Sequence, residues 1–277
     1  MKTKFSLCSI VPLVALMLTS APTVRSGEPT DDEKKLQAAL DTLLDIGGTL
    51  MVALKPDEKL SKSSYTQVQF DDKPCGYDIQ TLIARKQDKD IVYDYEQEKR
   101  IRFSNGARFA VKITATLTPY FKPLEIHIVQ SQTPPKITEK QAEHNGDVTI
   151  KFSDKEIEII DIQDGKKNVR SEKPIEEAFV FATDMLLRVL DVNSVAGFAL
   201  SEFNPSTGKT GLAVFRKIAA KQGFCFRAQR QEEKSEEEFY YYDAKGIMYE
   251  SGKTKPPLSE KLASKEFIEA LKPIIDK

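Results

Sequence analysis

The sequence predicts an α+β protein in which a large curved antiparallel sheet, an open half-barrel, wraps around an apolar helix, with further helices at the N- and C-termini. Two observations predict this class. From Tyr65 onwards, apolar and polar residues alternate with a period of two, which is typical of strands with one dry face and one wet face. Between these strands, residues 174–192 are apolar at helical spacing, and so apolar a helix must be covered on most sides.

Residues 1–26 have the layout of a secretory signal peptide. Lys2 and Lys4 precede an apolar run over residues 5–18, which is shorter than the roughly 20 residues of a membrane span. Val24 lies three positions from a cut after Ser26, and no cysteine that could carry a lipid directly follows the run. We therefore expect an exported protein, periplasmic or extracellular, without a stable membrane anchor.

The charge of the exported chain is nearly balanced. The full sequence has 41 basic and 42 acidic residues, and three of the basic ones, Lys2, Lys4 and Arg25, lie in the signal peptide. No long run of one sign occurs beyond the acidic triplet 236–238. This balance argues against nucleic acid as a partner and against electrostatic docking on anionic lipid.

Residues 27–60 are predicted to form an N-terminal helical segment. The helix should begin after Pro29, where Asp31 or Asp32 can cap it, and end at Gly47 and Gly48. Its apolar face contains Leu36, Leu40, Leu43 and Leu44. A β-rich domain over residues 61–277 is expected to follow it.

Strand signals fill that domain on both sides of the apolar helix. Asn105-Gly106, Asn145-Gly146 and Asp164-Gly165 predict tight turns between strands. Before the helix, the apolar sides of the predicted strands contain Val68 and Phe70; Tyr77, Ile79 and Ile83; Ile91, Tyr93 and Tyr95; Phe109, Val111, Ile113, Ala115 and Leu117; Leu124, Ile126 and Ile128; and Val148, Ile150 and Phe152. After it, strands are predicted over residues 195–203, 211–218, 224–229, 238–242 and 246–250, followed by a closing helix over residues 257–271 that ends near Pro273.

The central helix is predicted over residues 174–192, with the sequence PIEEAFVFATDMLLRVLDV. Pro174 suits the first helical turn, and Asp184 and Arg188 have the i,i+4 spacing of an ion pair on the narrow polar side. Spacings of three and four place the following residues on one face: Ile175, Phe179, Ala182, Leu186 and Val189.

Two further stretches of the second half have alternative interpretations. In the predicted strand 239–242, Phe239 and Tyr241 face one way and Tyr240 and Tyr242 the other, so one pair either lines a cavity for an apolar ligand or packs as in an ordinary sheet. The run RQEEKSEEE before it is predicted to be a solvated hairpin tip.

Cys75 and Cys225 are the two cysteines outside the signal peptide, an even number in an oxidising compartment. They either form one disulfide between the early and the late strands or lie separately as two small buried residues. The disulfide would close a long loop, which in the chain-entropy model stabilises a protein by roughly 4–5 kcal/mol.

No catalytic, metal or cofactor motif is complete, so the sequence predicts a protein that is not an enzyme. Thr207-Gly208-Lys209-Thr210 resembles the end of a phosphate-binding loop, but Phe203 stands where the motif needs glycine. His127 and His144 lie far apart and read as surface residues, and no metal-ligand spacing or nucleophile elbow occurs. Carboxylates are abundant, which leaves a hydrolase with an unrecognised carboxylate site as a third alternative.

The order of elements resembles the lipoprotein-localisation (Lol-type) carrier fold of Gram-negative envelopes. The resemblance rests on an exported chain, a long antiparallel meander, an inserted apolar helix and strands after it. The stretch from Tyr65 through Lys73 and Gly76-Tyr77 is also similar to the first hairpin of uncharacterised secreted β-rich bacterial proteins. The resemblance implies a half-barrel whose apolar cavity binds acyl chains; it carries no site residue over to this chain.

The leading functional expectation is a non-enzymatic protein that binds an apolar ligand or a partner chain, such as an envelope protein, in the concave face of the sheet. The alternative is a structural or assembly module of the envelope that has no ligand. The two differ in whether an open, lined cavity exists beside the central segment.

Overall fold

The structure is a computed structural model that describes residues 30–134, 144–230, 237–253 and 258–276, so the signal-peptide prediction lies outside the described residues. These ranges contain three helices: α1 (Asp31–Ala53), α2 (Thr183–Leu187) and α3 (Lys265–Ile275). The strands are β1 (Ser61–Phe70), β2 (Lys73–Gln87), β3 (Asp90–Arg102), β4 (Arg108–Leu117), β5 (Pro123–Thr133), β6 (His144–Phe152), β7 (Ile157–Gln163), β8 (Lys166–Glu172), β9 (Gly197–Asn204), β10 (Lys209–Ala219), β11 (Phe224–Arg230), β12 (Glu237–Tyr242), β13 (Met248–Lys253) and β14 (Leu258–Leu262).

All 14 strands belong to one antiparallel sheet, in the order β8-β7-β6-β5-β4-β3-β2-β1-β14-β13-β12-β11-β10-β9. Strands that are neighbours in sequence are neighbours in the sheet, with the exception of β8 and β9. In addition, β1 pairs with β14 and so joins an early block of strands to a late one. The edge strands β8 and β9 are consecutive in the chain. The residues between them, 173–196, therefore run from one edge of the sheet to the other, and we call them the crossing segment. The predicted fold class, an α+β protein with one large open antiparallel sheet and helices near both ends, is confirmed.

The middle of the crossing segment, residues 179–190, is buried or half-buried as predicted, but the helix predicted over residues 174–192 is wrong in extent. Only Thr183–Leu187 is helical. Val180 forms a β-bridge to Glu202 of β9, and its N–H donates to the carbonyl of Ser201 at 2.9 Å. Ala182 has φ of 57°, which interrupts helical propagation towards the N-terminus. The aromatic and β-branched run before Ala182 thus prefers strand pairing to helix.

Both halves of the sheet hold the crossing segment. The N–H of Phe181 donates to the carbonyl of Phe121 in the early half, at 2.9 Å. From the late half, the hydroxyl of Tyr242 donates to the carbonyl of Leu187 at 3.2 Å. Leu186, at 0% exposure, lies in the core that these contacts enclose. The segment is therefore the shared core of the two strand blocks.

Helix α1 lies along β9 and runs through the glycines that were predicted to end it. Thr30, rather than Asp31 or Asp32, caps it, because its hydroxyl accepts from the N–H of Glu33 while the carboxylate of Glu33 accepts from the N–H of Thr30. By length and composition alone, α1 could cross a membrane. Its buried residues, Ala39, Leu43 and Gly47, mark the face that packs on the sheet.

Gly47 is required by close packing and not by the end of the helix. A Cβ placed there would lie 2.0 Å from the carbonyl oxygen of Ala199, whereas a Cβ at Gly48 would meet nothing within 4 Å. We expect Gly47→Ala to cost about 1–3 kcal/mol through overpacking against backbone. Gly48→Ala is the matched control and should stabilise the protein by up to about 1 kcal/mol through helix propensity. Urea-unfolding midpoints measure both, and equal effects would contradict this packing.

The C-terminal region differs from its prediction in one element. Residues 258–262, expected to begin the closing helix, form β14, and α3 follows with Ser264 as its cap and Pro273 within it. Ile268 and Ile275 of α3 pack on Tyr77 of β2, which is 0% exposed. Helix α3 therefore covers the convex side of β2, so that this strand is buried on both faces.

Two turn predictions also have different outcomes. Asp164-Gly165 forms the turn between β7 and β8 with positive φ at both residues, as expected for a two-residue hairpin. Asn145-Gly146, predicted as a turn, lies inside β6 and pairs with β5. In addition, β8 lacked a recognisable strand pattern because all of its residues but one are exposed.

Candidate ligand site

The concave face of the sheet is apolar at its two ends and polar at its centre. Ile126 and Ile150 belong to the early apolar end, and Phe198 and Phe215, stacked at 4.6 Å, belong to the late one. Between them, inward-facing positions of the central strands hold a band of ionisable groups, which we call the polar band. Its members are Asp78, Lys99, Glu202, Arg230, Glu238, Lys253 and Glu260 from the sheet, with Asp184 and Arg188 from the crossing segment.

The first cluster of the polar band lies where β14, β1, β2 and β3 meet. Lys99 forms an ion pair with Glu260, and Asp78 stands opposite Lys99 in the β2–β3 register. The side-chain amides of Gln80 and Gln97 donate to the carboxylate of Asp78, at 2.7 Å and 3.0 Å. Asp78 and Glu260 are only 1% and 8% exposed, so a single ammonium group compensates two buried carboxyls.

These surroundings shift the pKa values of Asp78 and Glu260 in opposite directions. Desolvation and the neighbouring Glu260 carboxylate raise the pKa of Asp78 to about 7. Desolvation also acts on Glu260, but the Lys99 ammonium outweighs it and holds the pKa of Glu260 below its usual value. At neutral pH the cluster thus contains a closed Lys99–Glu260 pair and a carboxyl, Asp78, that is close to its titration midpoint.

The second cluster is centred on Arg230. Its guanidinium donates to both oxygens of Glu202, with Nε–Oε2 at 2.5 Å and Nη2–Oε1 at 3.3 Å, and it also pairs with Glu238. Glu238 further accepts from the Tyr240 hydroxyl at 2.7 Å and pairs with Lys253 at 3.0 Å. Desolvation of Glu238 is outweighed by Arg230 and Lys253, which lower its pKa to about 2. Each charged group of this cluster therefore has a partner of opposite charge.

Asp184 stands between the two clusters and belongs to neither. Within the described ranges of the chain, its carboxylate has no hydrogen-bond or ion-pair partner. Desolvation, followed by the charges of Glu260 and Glu238, raises its pKa to about 6. The predicted Asp184–Arg188 ion pair does not form. Arg188 instead donates through Nη1 to the carbonyl of Met248 at 3.2 Å.

A cavity of about 270 Å³ opens beside Asp184. The crossing segment and the first turn of the β9–β10 hairpin supply its apolar wall, and the second cluster supplies its polar wall. Half-buried residues of the hairpin turn bring the cavity to the protein surface. Its lining consists of Phe181, Ala182, Thr183, Asp184, Glu202, Phe203, Asn204, Pro205, Gly211 and Arg230. The site can hold a small molecule with both an apolar and a polar part.

A second concavity, of about 460 Å³, lies on the convex face of β3–β6. It is lined by acidic and hydroxyl side chains such as Glu96, Glu125 and Thr114 together with His127. His127 lies 2.8 Å from a carboxylate oxygen of Asp147 and is 43% exposed, so it is a surface histidine. Among the described residues, no group of three or more metal-ligating side chains forms, and the His144 side chain lies outside that part.

The two cysteines of the predicted disulfide are free buried thiols on β2 and β11. Four strands separate β2 from β11 in the sheet. At about 4.8 Å per strand spacing, this separation is far larger than the roughly 4.4–6.8 Å between Cα atoms that a disulfide spans. The geometry therefore matches the other interpretation, two small buried residues in separate strands.

The aromatic strand 239–242 alternates as predicted. Tyr240 and Tyr242 face the concave side and are 2% and 0% exposed, whereas Phe239 and Tyr241 stack at 6.3 Å on the other face. Tyr240 bonds the second cluster and Tyr242 bonds the crossing segment. Neither tyrosine lines the cavity; their hydroxyl groups instead hold Glu238 and the backbone of the crossing segment in place.

The polar band was not found from the sequence. On β2 the alternation predicts that the apolar residues Tyr77 and Ile79 face the core, but they face α3, while Asp78 and Gln80 face the interior. The sequence predicts that Arg230 and Glu238 belong to a solvated hairpin tip. Residues 231–236 of that tip lie outside the described residues, but Arg230 and Glu238 form a largely buried ion pair. One signal in the sequence could have indicated the polar band: its strands have charged residues at alternate positions and large apolar residues on the opposite side.

No protein-family model matches the chain, and no curated protein is similar to it in sequence. Among solved structures, the chain is similar to a crystal structure from Brucella abortus described as a beta-barrel-like protein of domain of unknown function DUF1849. The match covers 75% of this chain and 97% of that chain, at 7% identity and a TM-score of 0.44. At that score, no site residue and no function is carried over.

Proposed function

We propose that this protein is a non-enzymatic binding protein that holds a small amphiphilic ligand in the cavity between the crossing segment and the concave face of the sheet. The observation that carries the proposal is the composition of the cavity wall. Phe181, Phe203 and Pro205 offer apolar surface, and the carboxylate of Asp184 faces the same space without a partner in the described part of the chain. Small-molecule sites have this character, with mostly apolar linings and a few placed polar groups.

The alternative function, an envelope module whose crossing segment only completes the core, accounts less well for Asp184. Asp184 is half-buried. A desolvated carboxylate without a hydrogen-bond partner lowers stability, and an apolar residue there would complete a core better. Residues that reduce stability without a structural benefit are typical of functional sites. The alternative would gain support if the cavity accepted no small molecule.

We also propose that the protein acts after export, in the periplasm or outside the cell. The layout of residues 1–26 supports this placement. The resemblance to Lol-type carriers supports a ligand in a half-barrel only by analogy of fold. The mixed lining of the cavity favours an amphiphile over a purely apolar acyl chain.

Filling the cavity tests the proposal. Gly211 lines it and pairs with Glu202, so we expect Gly211→Val to lower the affinity for the neutral fluorescent probe N-phenyl-1-naphthylamine at least about tenfold, or about 1.4 kcal/mol. Ala219→Val, at the exposed end of the same strand, places the same branched side chain away from the cavity and is the control. A fluorescence titration measures both. Absence of probe binding to the parent protein, or equal binding by both variants, would overturn the proposal.

A further inference from the structure

In the described ranges of the chain, each ionisable group around the cavity except Asp184 has a hydrogen-bond or ion-pair partner; Arg188 has one through Nη1 alone. Lys99 is bound to Glu260, and Arg230 is bound to Glu202 and Glu238. Asp78, outside these pairs, accepts two amide hydrogen bonds, and Lys253 pairs with Glu238. The carboxylate left over is Asp184, which lines the cavity.

The charges of the polar band are nearly balanced. It contains five carboxyls, from Asp78, Asp184, Glu202, Glu238 and Glu260, and four cations, from Lys99, Arg188, Arg230 and Lys253. The excess of one acid lies in the first cluster, where Lys99 serves both Asp78 and Glu260. Arg188 acts on Asp184 through its charge but does not bond to it, so an ammonium group next to Asp184 would supply the direct partner that this desolvated carboxylate lacks among the described residues.

The donors of the cavity do not suit an anion. The Nε and Nη2 side of the Arg230 guanidinium is taken by Glu202, and Nη1 is taken by Glu238. A ligand carboxylate or phosphate would displace these acids and would meet the charge of Asp184. The carboxylate of a fatty acid, which the resemblance to acyl-chain carriers suggests, is disfavoured for this reason.

A bare metal ion is disfavoured as well. The described residues contain no group of three or more metal-ligating side chains, and the oxygens of Glu202 are held by Arg230. The other wall of the cavity consists of Phe181, Phe203 and Pro205, which would contact carbon and not a hydrated ion. The cation that fits both walls carries an apolar group.

We propose that the ligand class of this cavity is a primary or substituted amine with an apolar chain or ring, whose ammonium group binds the carboxylate of Asp184 and whose apolar part lies against Phe181 and Phe203. This inference rests on the proposed binding function and makes it more specific. Asp184 is then a specificity-determining residue: it selects a cationic head group over a neutral or an anionic one of equal chain length.

Matched probes test the inference by isothermal titration calorimetry on the exported chain at pH 8, where Asp184 is ionised. Octylamine, octanol and octanoate share one chain and differ in head-group charge. We expect octylamine to bind at least tenfold more tightly than octanol, which corresponds to about 1.4 kcal/mol. Octanoate should bind most weakly. Asp184→Asn should remove the preference for octylamine and leave octanol binding unchanged, whereas Asp191→Asn, at an exposed acid of the same segment, should change neither.

Acidification of the unmutated protein is a second test that does not depend on a variant folding. As pH falls through about 6, protonation of Asp184 removes the partner of the ammonium group. Octylamine affinity should fall towards that of octanol, which should stay constant. If octanol binds and octylamine has no advantage, the amine inference fails and the binding function stands. If none of the three binds, both fail.

Discussion

Lys99→Met is expected to destabilise the protein by about 3–5 kcal/mol, because it leaves Asp78 and Glu260 buried without a cation. Breaking one side of a buried pair costs more than the pair itself contributes, since the remaining charge stays desolvated. Against a typical total stability of about 5–15 kcal/mol, this loss is large. Urea unfolding at pH 8 measures it. Lys112→Met, an exposed lysine on the neighbouring strand β4, is the matched control and should change stability by no more than about 0.5 kcal/mol.

The loss in Lys99→Met should depend on pH in a defined direction. Without the ammonium group, the pKa of Asp78 rises further and the pKa of Glu260 is no longer held below its usual value. Both carboxyls are then more easily protonated in the folded state, which reduces the uncompensated charge at pH 5. Asp78 already has its pKa raised to about 7, above its unfolded value, so its ionisation destabilises the fold as pH rises through 7. The destabilisation by Lys99→Met should therefore be smaller at pH 5 than at pH 8. Adding Asp78→Asn and Glu260→Gln to the variant should recover much of the loss at pH 8; no recovery would contradict the charge explanation.

Leu186→Ala is expected to cost about 2–5 kcal/mol, because it opens a cavity in the centre of the core. Leu186 is 0% exposed and lies in the helical turn of the crossing segment, between contacts from both halves of the sheet. Thermal or urea unfolding measures the loss. Leu262→Ala removes the same atoms from a side chain that is 47% exposed on β14, and should stay within about 0.5 kcal/mol.

The same variant connects the core to the cavity. The crossing segment supplies Phe181 and Asp184 to the cavity wall, so loosening it should also change the binding of N-phenyl-1-naphthylamine. A loss of stability with unchanged probe binding would indicate that the segment only fills the core. Equal stability of Leu186→Ala and Leu262→Ala would show that the placement of the segment inside the sheet is wrong.

Most of the sheet could be predicted because its strands alternate. Phe109 to Leu117 of β4 show the pattern clearly, since one side of that strand faces the core. Strand β8 was not predicted because it is exposed on both faces and does not alternate. Strand β14 was not predicted because five residues are too few to show a clear alternation. The sequence correctly predicts that the crossing segment lies in the core, but the predicted secondary structure, one long helix, is wrong. A segment that is apolar all round has no polar face from which its period can be read, so helix and extended chain look alike.

The sequence by itself determined that this chain forms a long antiparallel meander around an apolar segment, because alternation and apolar runs are local properties. It did not determine which side of β2 faces inward, because α3 covers the outer side and both faces of that strand are buried. Only the tertiary structure determined which residues come together at the ligand site. The pairing of β1 with β14 brings Glu260 to Lys99 across 161 residues, and the crossing segment brings Asp184 to a wall built from β9, β10 and β11. Contacts between residues so distant in the chain leave no local pattern, since each partner is an ordinary charged residue in its own strand.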